Sequence, residues 1–192
     1  MPPHRRGWAR RYTLLSGGKW QIFSFHIAGD VPDRQSQHVP ILDHSIAAVT
    51  KAVVGCIPHA KMLTLAVDFS NLGALLRRDT LIDAGILRAW MVGMGRRSAY
   101  ERVAHLFCEL YLKLQALGLA ADLRCPLPIT QTDLADALGL TPVHINCVLR
   151  DKRARTWLTL RSSTRVIDTG DELLRLSEFD PTYLRLEKRA TG

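Results

Sequence analysis

Residues 130–153 read TQTDLADALGLTPVHINCVLRDKR, and their spacing decides the fold of the C-terminal part. Thr130 is placed to cap a helix whose third residue, Asp133, returns the hydrogen bond as in a capping box. Gly139 supplies the left-handed backbone that ends this helix in a tight turn. Thr141 caps a second helix, and Pro142 takes its first position, where a missing N–H costs nothing. Two short helices joined by a glycine-containing turn form a helix-turn-helix. Ala135 is small where the helices must approach, and Leu134, Leu138, Ile145, Val148 and Leu149 are expected to share an apolar seam. At about 100° per residue, Val143, Cys147 and Arg150 fall on the opposite face, flanked by His144 and Asn146.

A docked helix-turn-helix offers the N-terminal residues of its second helix to base edges in the major groove. Val143, His144, Asn146, Cys147 and Arg150 are therefore the expected base readers. Asn146 matches adenine, Arg150 guanine or a phosphate, and Val143 a thymine methyl. Thr130, Gln131 and Thr141 lie at helix N-termini, which receive phosphates. Downstream, WLTLRSSTRVID (157–168) reads as two strands turning around 161–164. Such a wing would put Arg161 and Arg165, together with Lys152 and Arg153, on the DNA backbone. The plainer alternative is a buried helical hairpin with a solvated basic face.

Upstream, the first 75 residues read as short strands and turns. RYTLL (11–15) and WQIFSFHI (20–27) flank a turn at Gly17-Gly18, and SIAAVT (45–50) and AVVGCIP (52–58) are expected to be two more strands. From Leu72 to Leu117 the pattern turns helical, with an interruption near Gly93 and Gly95. Leu81, Ile82, Ile86, Trp90 and Met94 form one stripe, and Val103, Leu106, Phe107, Leu110 and Leu114 a second. The first stripe is buried either in its own chain or against a partner subunit.

The 192 residues carry a net charge of +8, with 47% hydrophobic and 23% charged side chains, an ordinary globular composition. Residues 1–29 hold Arg5, Arg6, Arg10, Arg11 and Lys19 without an acid, and residues 141–165 hold six basic side chains against Asp151. Two such clusters suit a polyanion. Cys56, Cys108, Cys125 and Cys147 show no C-x-x-C spacing and are expected to be free thiols in a reducing compartment. No apolar run reaches membrane-span length and the N-terminus lacks a secretory core, so a soluble cytoplasmic protein is expected, with no membrane partner. Protease, hydrolase, phosphate-loop and dinucleotide motifs are absent, so no enzyme and no cofactor are expected.

RRSAYERVAHLFCELYLKL (96–114), DLADALGLTPVHIN (133–146) and SEFDPTYLRL (177–186) resemble the C-terminal half of the Crp/Fnr family of bacterial transcription regulators. RYTLLSGGKWQIFSFHIAGDVPD (11–33) resembles the middle of that family's cyclic-nucleotide-binding-like barrel, and RRDTLIDAGILRAWMVGMGRR (77–97) its dimerisation helix. The resemblance implies an α+β chain in three parts: a partial jelly-roll barrel at 1–75, dimerisation and connecting helices at 76–122, and a winged helix-turn-helix at 123–192. It implies a homodimer on a palindromic double-stranded DNA site, RNA polymerase as a further partner, and the first apolar stripe as a two-fold seam.

Three departures qualify what carries over. The roughly 75 residues before the central helix are fewer than the family's barrel takes, so its opening strands are expected to be absent. The stretch from Gly29 to Ala48 lacks the glutamate of the cyclic-AMP members and has His44-Ser45 where they carry arginine-serine, so cyclic AMP is not the expected effector. The cysteine cluster of the iron–sulfur members is missing too. Cys147 stands where the family usually has an outward arginine, which puts its usual half-site in question. Two alternatives follow: a truncated dimerisation partner that inhibits full-length relatives, and a metal-sensing regulator using Cys56, His59 and His38 or His44.

Overall fold

A computed structural model describes residues 7–122, 124–151, 158–161, 164–167 and 170–186. The chain divides into two units, Met1–Leu87 and Arg88–Gly192.

In the first unit, β1 (Ala9–Leu14) and β2 (Trp20–His26) form the expected hairpin, with Leu14 opposite Trp20. Gly18 takes φ 74°, and its N–H donates to the Leu15 carbonyl over 2.9 Å, so glycine is needed to close the turn. β3 (Ser45–Ala48) pairs antiparallel with the other edge of β1, giving the order β2-β1-β3. Ile22, Phe25 and Ile27 are buried. So is Arg11, whose Nε donates to Ser24 Oγ at 2.7 Å and whose Nη2 meets Asp83 Oδ2 at 2.7 Å. Arg34 reaches the same Asp83 oxygen at 2.5 Å and donates to the Asp79 carbonyl at 3.0 Å. Two guanidiniums on one carboxylate therefore tie β1 and the short 3-10 turn Arg34–Gln37 to the helix that carries Asp83.

The expected strand at 52–58 is not formed. The segment pairs with neither β2 nor β3 and stays on the surface, with Val53 96% and Val54 79% exposed, so its apolar side chains have no face to bury. Pro58 then opens a helix that periodicity did not mark, α1 (His59–Asp68), built on good helix formers such as Ala60, Lys61, Met62 and Leu65.

Helix α2 (Ser70–Arg96) runs 27 residues, continuous through Gly93 and Gly95 where a break was expected. A helical glycine costs only about 1 kcal/mol, too little to stop a long helix. The break falls at Ser98, whose Oγ accepts from Glu101 N while its own N–H donates to Glu101 Oε2 at 2.6 Å, starting α3 (Ala99–Ala116). The first apolar stripe divides as well. Ile86 and Trp90 are buried within the chain, whereas Leu81 and Met94 are exposed, so the stripe as a whole is not a two-fold seam.

The second unit is built on α3, which buries Val103, Leu106, Phe107, Leu110 and Leu114, the full second stripe. β4 (Arg124–Pro126) follows, then α4 (Gln131–Leu138), α5 (Pro142–Arg150), β5 (Leu158–Arg161), β6 (Thr164–Ile167), α6 (Gly170–Leu176) and a 3-10 turn, Pro181–Leu184. The strands form an antiparallel sheet in the order β4-β6-β5. Leu134, Ile145, Val148 and Leu173 are buried with the α3 residues. Among the described residues no helix is long and apolar enough to cross a membrane.

Candidate nucleic-acid interface

The turn between α4 and α5 is locked by local chemistry. Asp133 Oδ2 accepts from both Thr130 N (2.9 Å) and Thr130 Oγ1 (2.7 Å), while Asp133 N donates to Thr130 Oγ1 (3.1 Å). Both donors of Thr130 are thus spent on the cap, and this residue has none to offer a phosphate. At the other end Gly139 adopts φ 64° and ψ 37°, and Leu140 N closes onto the Ala135 carbonyl at 3.0 Å. Thr141 Oγ1 accepts from His144 N at 3.1 Å, which leaves its hydroxyl proton available, and Pro142 occupies the first turn.

These caps fix the rotation of α5. Ile145 is 0% and Val148 2% exposed, so that side is held in the core, with Leu149 half-buried at its margin. Val143 is 73% exposed, and His144, Cys147 and Arg150 are exposed with it, while Asn146 is half-buried beside them. One helix thus offers an apolar contact, an amide, an imidazole, a thiol and a guanidinium on adjoining positions, the donor and acceptor set that base edges require. Thr130 and Gln131 are exposed at the start of α4. Arg161 sits opposite Thr164, and Arg165 opposite Leu160, in the hairpin of β5 and β6. Lys152 and Arg153 lie outside the described residues, as does Trp157.

Two anchors of this site went unread in the sequence. Tyr100, in the first turn of α3, donates its hydroxyl to Asp151 Oδ2 at 2.5 Å and so holds the residue that ends α5. Arg102 donates to the Leu138 carbonyl at 3.1 Å and to the Arg97 carbonyl at 2.9 Å, fastening the end of α4 to the start of α3. Both link residues more than thirty positions apart, where no local motif signals them.

A capped helical pair turning through a left-handed glycine, backed by a third helix and flanked by a β-hairpin, is a winged helix-turn-helix, the DNA-binding unit of a transcriptional regulator. The model of the Crp-like helix-turn-helix domain family matches residues 101–176. The nitrogen fixation regulation protein FixK of Bradyrhizobium diazoefficiens is 34% identical over 173 residues, covering 88% of this chain and 67% of that protein. FixK of Rhizobium meliloti is 27% identical over 173 residues, covering 88% and 74%. Among solved structures, FixK2 from Bradyrhizobium japonicum superposes with a TM-score of 0.71 at 24% identity, covering 90% of this chain and 84% of that one. The chain belongs to the Crp/Fnr family of DNA-binding transcriptional regulators. Its α+β fold is a partial cyclic-nucleotide-binding-like jelly roll, a long helix and a C-terminal winged helix-turn-helix. The two alternatives gain no support: the relatives are regulators, and among the described residues no three His, Cys, Asp or Glu side chains come together as a metal site.

Proposed function

We propose that the chain acts in the cytoplasm as a homodimer that binds a two-fold DNA site and controls transcription beside RNA polymerase, without catalysis of its own. The observation that carries this reading is the exposed row of Val143, Cys147 and Arg150 on a helix whose other side is fixed by Ile145 and Val148. Val143, His144, Asn146, Cys147 and Arg150 read bases. Gln131, Thr141, Lys152, Arg153, Arg161 and Arg165 hold phosphates, with Thr130 kept for capping. Residues 1–75 serve as the sensory part, 76–122 as dimerisation and connecting helices, and 123–192 as the reading head.

Dimerisation uses an exposed row of α2 that shares only Met94 with the stripe read from the sequence. Leu87, Met91 and Met94, spaced four and three residues apart, are 43%, 68% and 43% exposed, an apolar row suited to the same row of a second copy. Sedimentation velocity on the chain and on a Leu87→Asp/Met91→Asp variant tests this, with DNA binding followed in parallel on duplexes holding one or two half-sites. A dimer that becomes a monomer, with loss of the two-site advantage, supports the reading. A monomeric parent, or a dimer untouched by both charges, overturns it.

A further inference from the structure

We infer that Glu109 is a positioning residue for DNA recognition: it joins the end of α2, helix α3 and the C-terminal 3-10 turn at a single oxygen, and so sets where the reading head stands on the dimerisation helix. The inference rests on the dimeric DNA-binding reading above. Glu109 lies on α3 and is 2% exposed. Its Oε2 accepts from Trp90 Nε1 at 3.0 Å and from the Tyr183 hydroxyl at 2.9 Å. Trp90 is in the last turns of α2 and Tyr183 in the 3-10 turn Pro181–Leu184. Two donors from segments 93 positions apart thus converge on one atom of a third.

The surroundings hold this arrangement rigid. His105, one turn earlier on α3 and buried, lies parallel to the Tyr183 ring at 6.0 Å and packs on Phe179 at 4.9 Å. Immediately before Glu109, Cys108, also buried, faces Ser177 Oγ at 3.9 Å, and the Ser177 hydroxyl donates in turn to the Leu173 carbonyl at 2.8 Å. Burial drives the titratable groups toward their neutral forms. It pushes the Glu109 and Tyr183 groups up, the Cys108 thiol up to about 12, and His105 down to about 4. Lys113, one turn beyond Glu109, opposes the shift of the carboxyl, and Arg97 adds to that of the imidazole.

A core that needed only cohesion would do as well or better with an apolar side chain here, because burying a carboxyl is costly. What the carboxyl adds is direction. An apolar residue lets three packed elements slide, whereas one oxygen shared by two donors allows a single arrangement of them. The reading helix α5 belongs to the same unit as this junction. In a dimer seamed along α2, the placement of each head on that helix fixes the separation at which two half-sites are met together.

The test measures binding of the full-length chain to duplexes carrying two inverted half-sites, their centre-to-centre distance varied by single base pairs across one helical turn. A duplex with one half-site is the control. Glu109→Gln keeps the oxygen that accepts both hydrogen bonds and is expected to match the parent. Glu109→Met keeps the volume and loses the acceptor. With the Trp90 and Tyr183 donors left unpaired its melting temperature is expected to fall, while the chain stays folded at the assay temperature and keeps its one-half-site affinity; its preference for the best spacing over the next falls about tenfold, the worth of one misaligned bidentate base contact. Trp90→Phe combined with Tyr183→Phe removes the donors instead and is expected to give the same flattening. Either the methionine chain or the double phenylalanine chain folding with the parental spacing preference overturns the inference. A parent that binds two half-sites no better than one overturns the dimeric reading, and the inference with it.

Discussion

Replacing Gly139 by alanine tests the turn on which the reading head depends. At φ 64° and ψ 37° Gly139 occupies the left-handed region, and among the described residues a Cβ built there meets only the Met94 sulfur, at an ordinary 3.9 Å. The cost is therefore conformational and not steric. An L-residue in this region costs about 1–2 kcal/mol. Alanine recovers roughly 0.4–1 kcal/mol by narrowing the unfolded ensemble, so a net loss of about 1 kcal/mol is expected. Against a typical stability of about 5–15 kcal/mol, such a loss leaves nearly every molecule folded. DNA affinity should then change by less than about twofold, while the urea midpoint falls at constant slope. Asparagine, which tolerates the left-handed region, should cost less than alanine. A loss above about 3 kcal/mol would show that the turn is packed against something further. A tenfold fall in affinity at unchanged stability would show that the turn itself touches DNA, and either result refutes the assignment of Gly139 as a backbone device.

Three further outcomes are expected. Arg150→Ala should flatten sequence preference, whereas Arg165→Ala should weaken all sequences alike and reduce the salt slope by about one unit; equal losses on every sequence for both would undo the division into base and phosphate contacts. In a Cys56→Ser background, maleimide should label exposed Cys147 and abolish specific binding, with bound DNA slowing the reaction; labelling that leaves binding intact would remove Cys147 from the interface. His105 is held neutral by burial first and by Arg97 second, its pKa brought from 6.5 to about 4. Its unfolded form takes a proton at higher pH than its folded form, so the stability it contributes is complete above pH 6.5 and is lost as pH falls toward 4. His105→Gln should remove that part of the acid limb of urea midpoint against pH, and an unchanged limb would count against the buried neutral imidazole.

The helix-turn-helix was legible because each of its signals is local. Thr130, Asp133, Gly139, Thr141 and Pro142 act on backbone groups within a few positions of themselves, as Gly17 and Gly18 do in the hairpin of β1 and β2. Periodicity along α2 named Leu81, Ile86, Trp90 and Met94 but not what each would meet: Ile86 and Trp90 went to the core of their own chain, Leu81 and Met94 stayed outside, and the exposed Leu87 and Met91 were not marked at all. The segment 52–58 has the composition of a strand, yet strand formation depends on burial against cross-strand neighbours, and Val53 and Val54 stay exposed. The bonds of Tyr100 to Asp151, Arg11 to Asp83 and Trp90 to Glu109 depend on the finished fold, because side chains dozens of positions apart carry no mutual signal. Cys147 is the reverse case: its place on the outer side of α5 was evident from spacing and is where the exposed thiol stands, but a thiol does not name a base.

Whether α5 reads a two-fold site is decided by selecting binding sites from a random duplex library at moderate salt, using the purified chain beside its Cys147→Arg variant. The chain is expected to enrich a two-fold site with half-sites about one helical turn apart, and the variant to change the bases chosen at one symmetric position while keeping the spacing. Enrichment of nothing by either chain, or of a single half-site without symmetry, would contradict a dimeric regulator that reads DNA through α5.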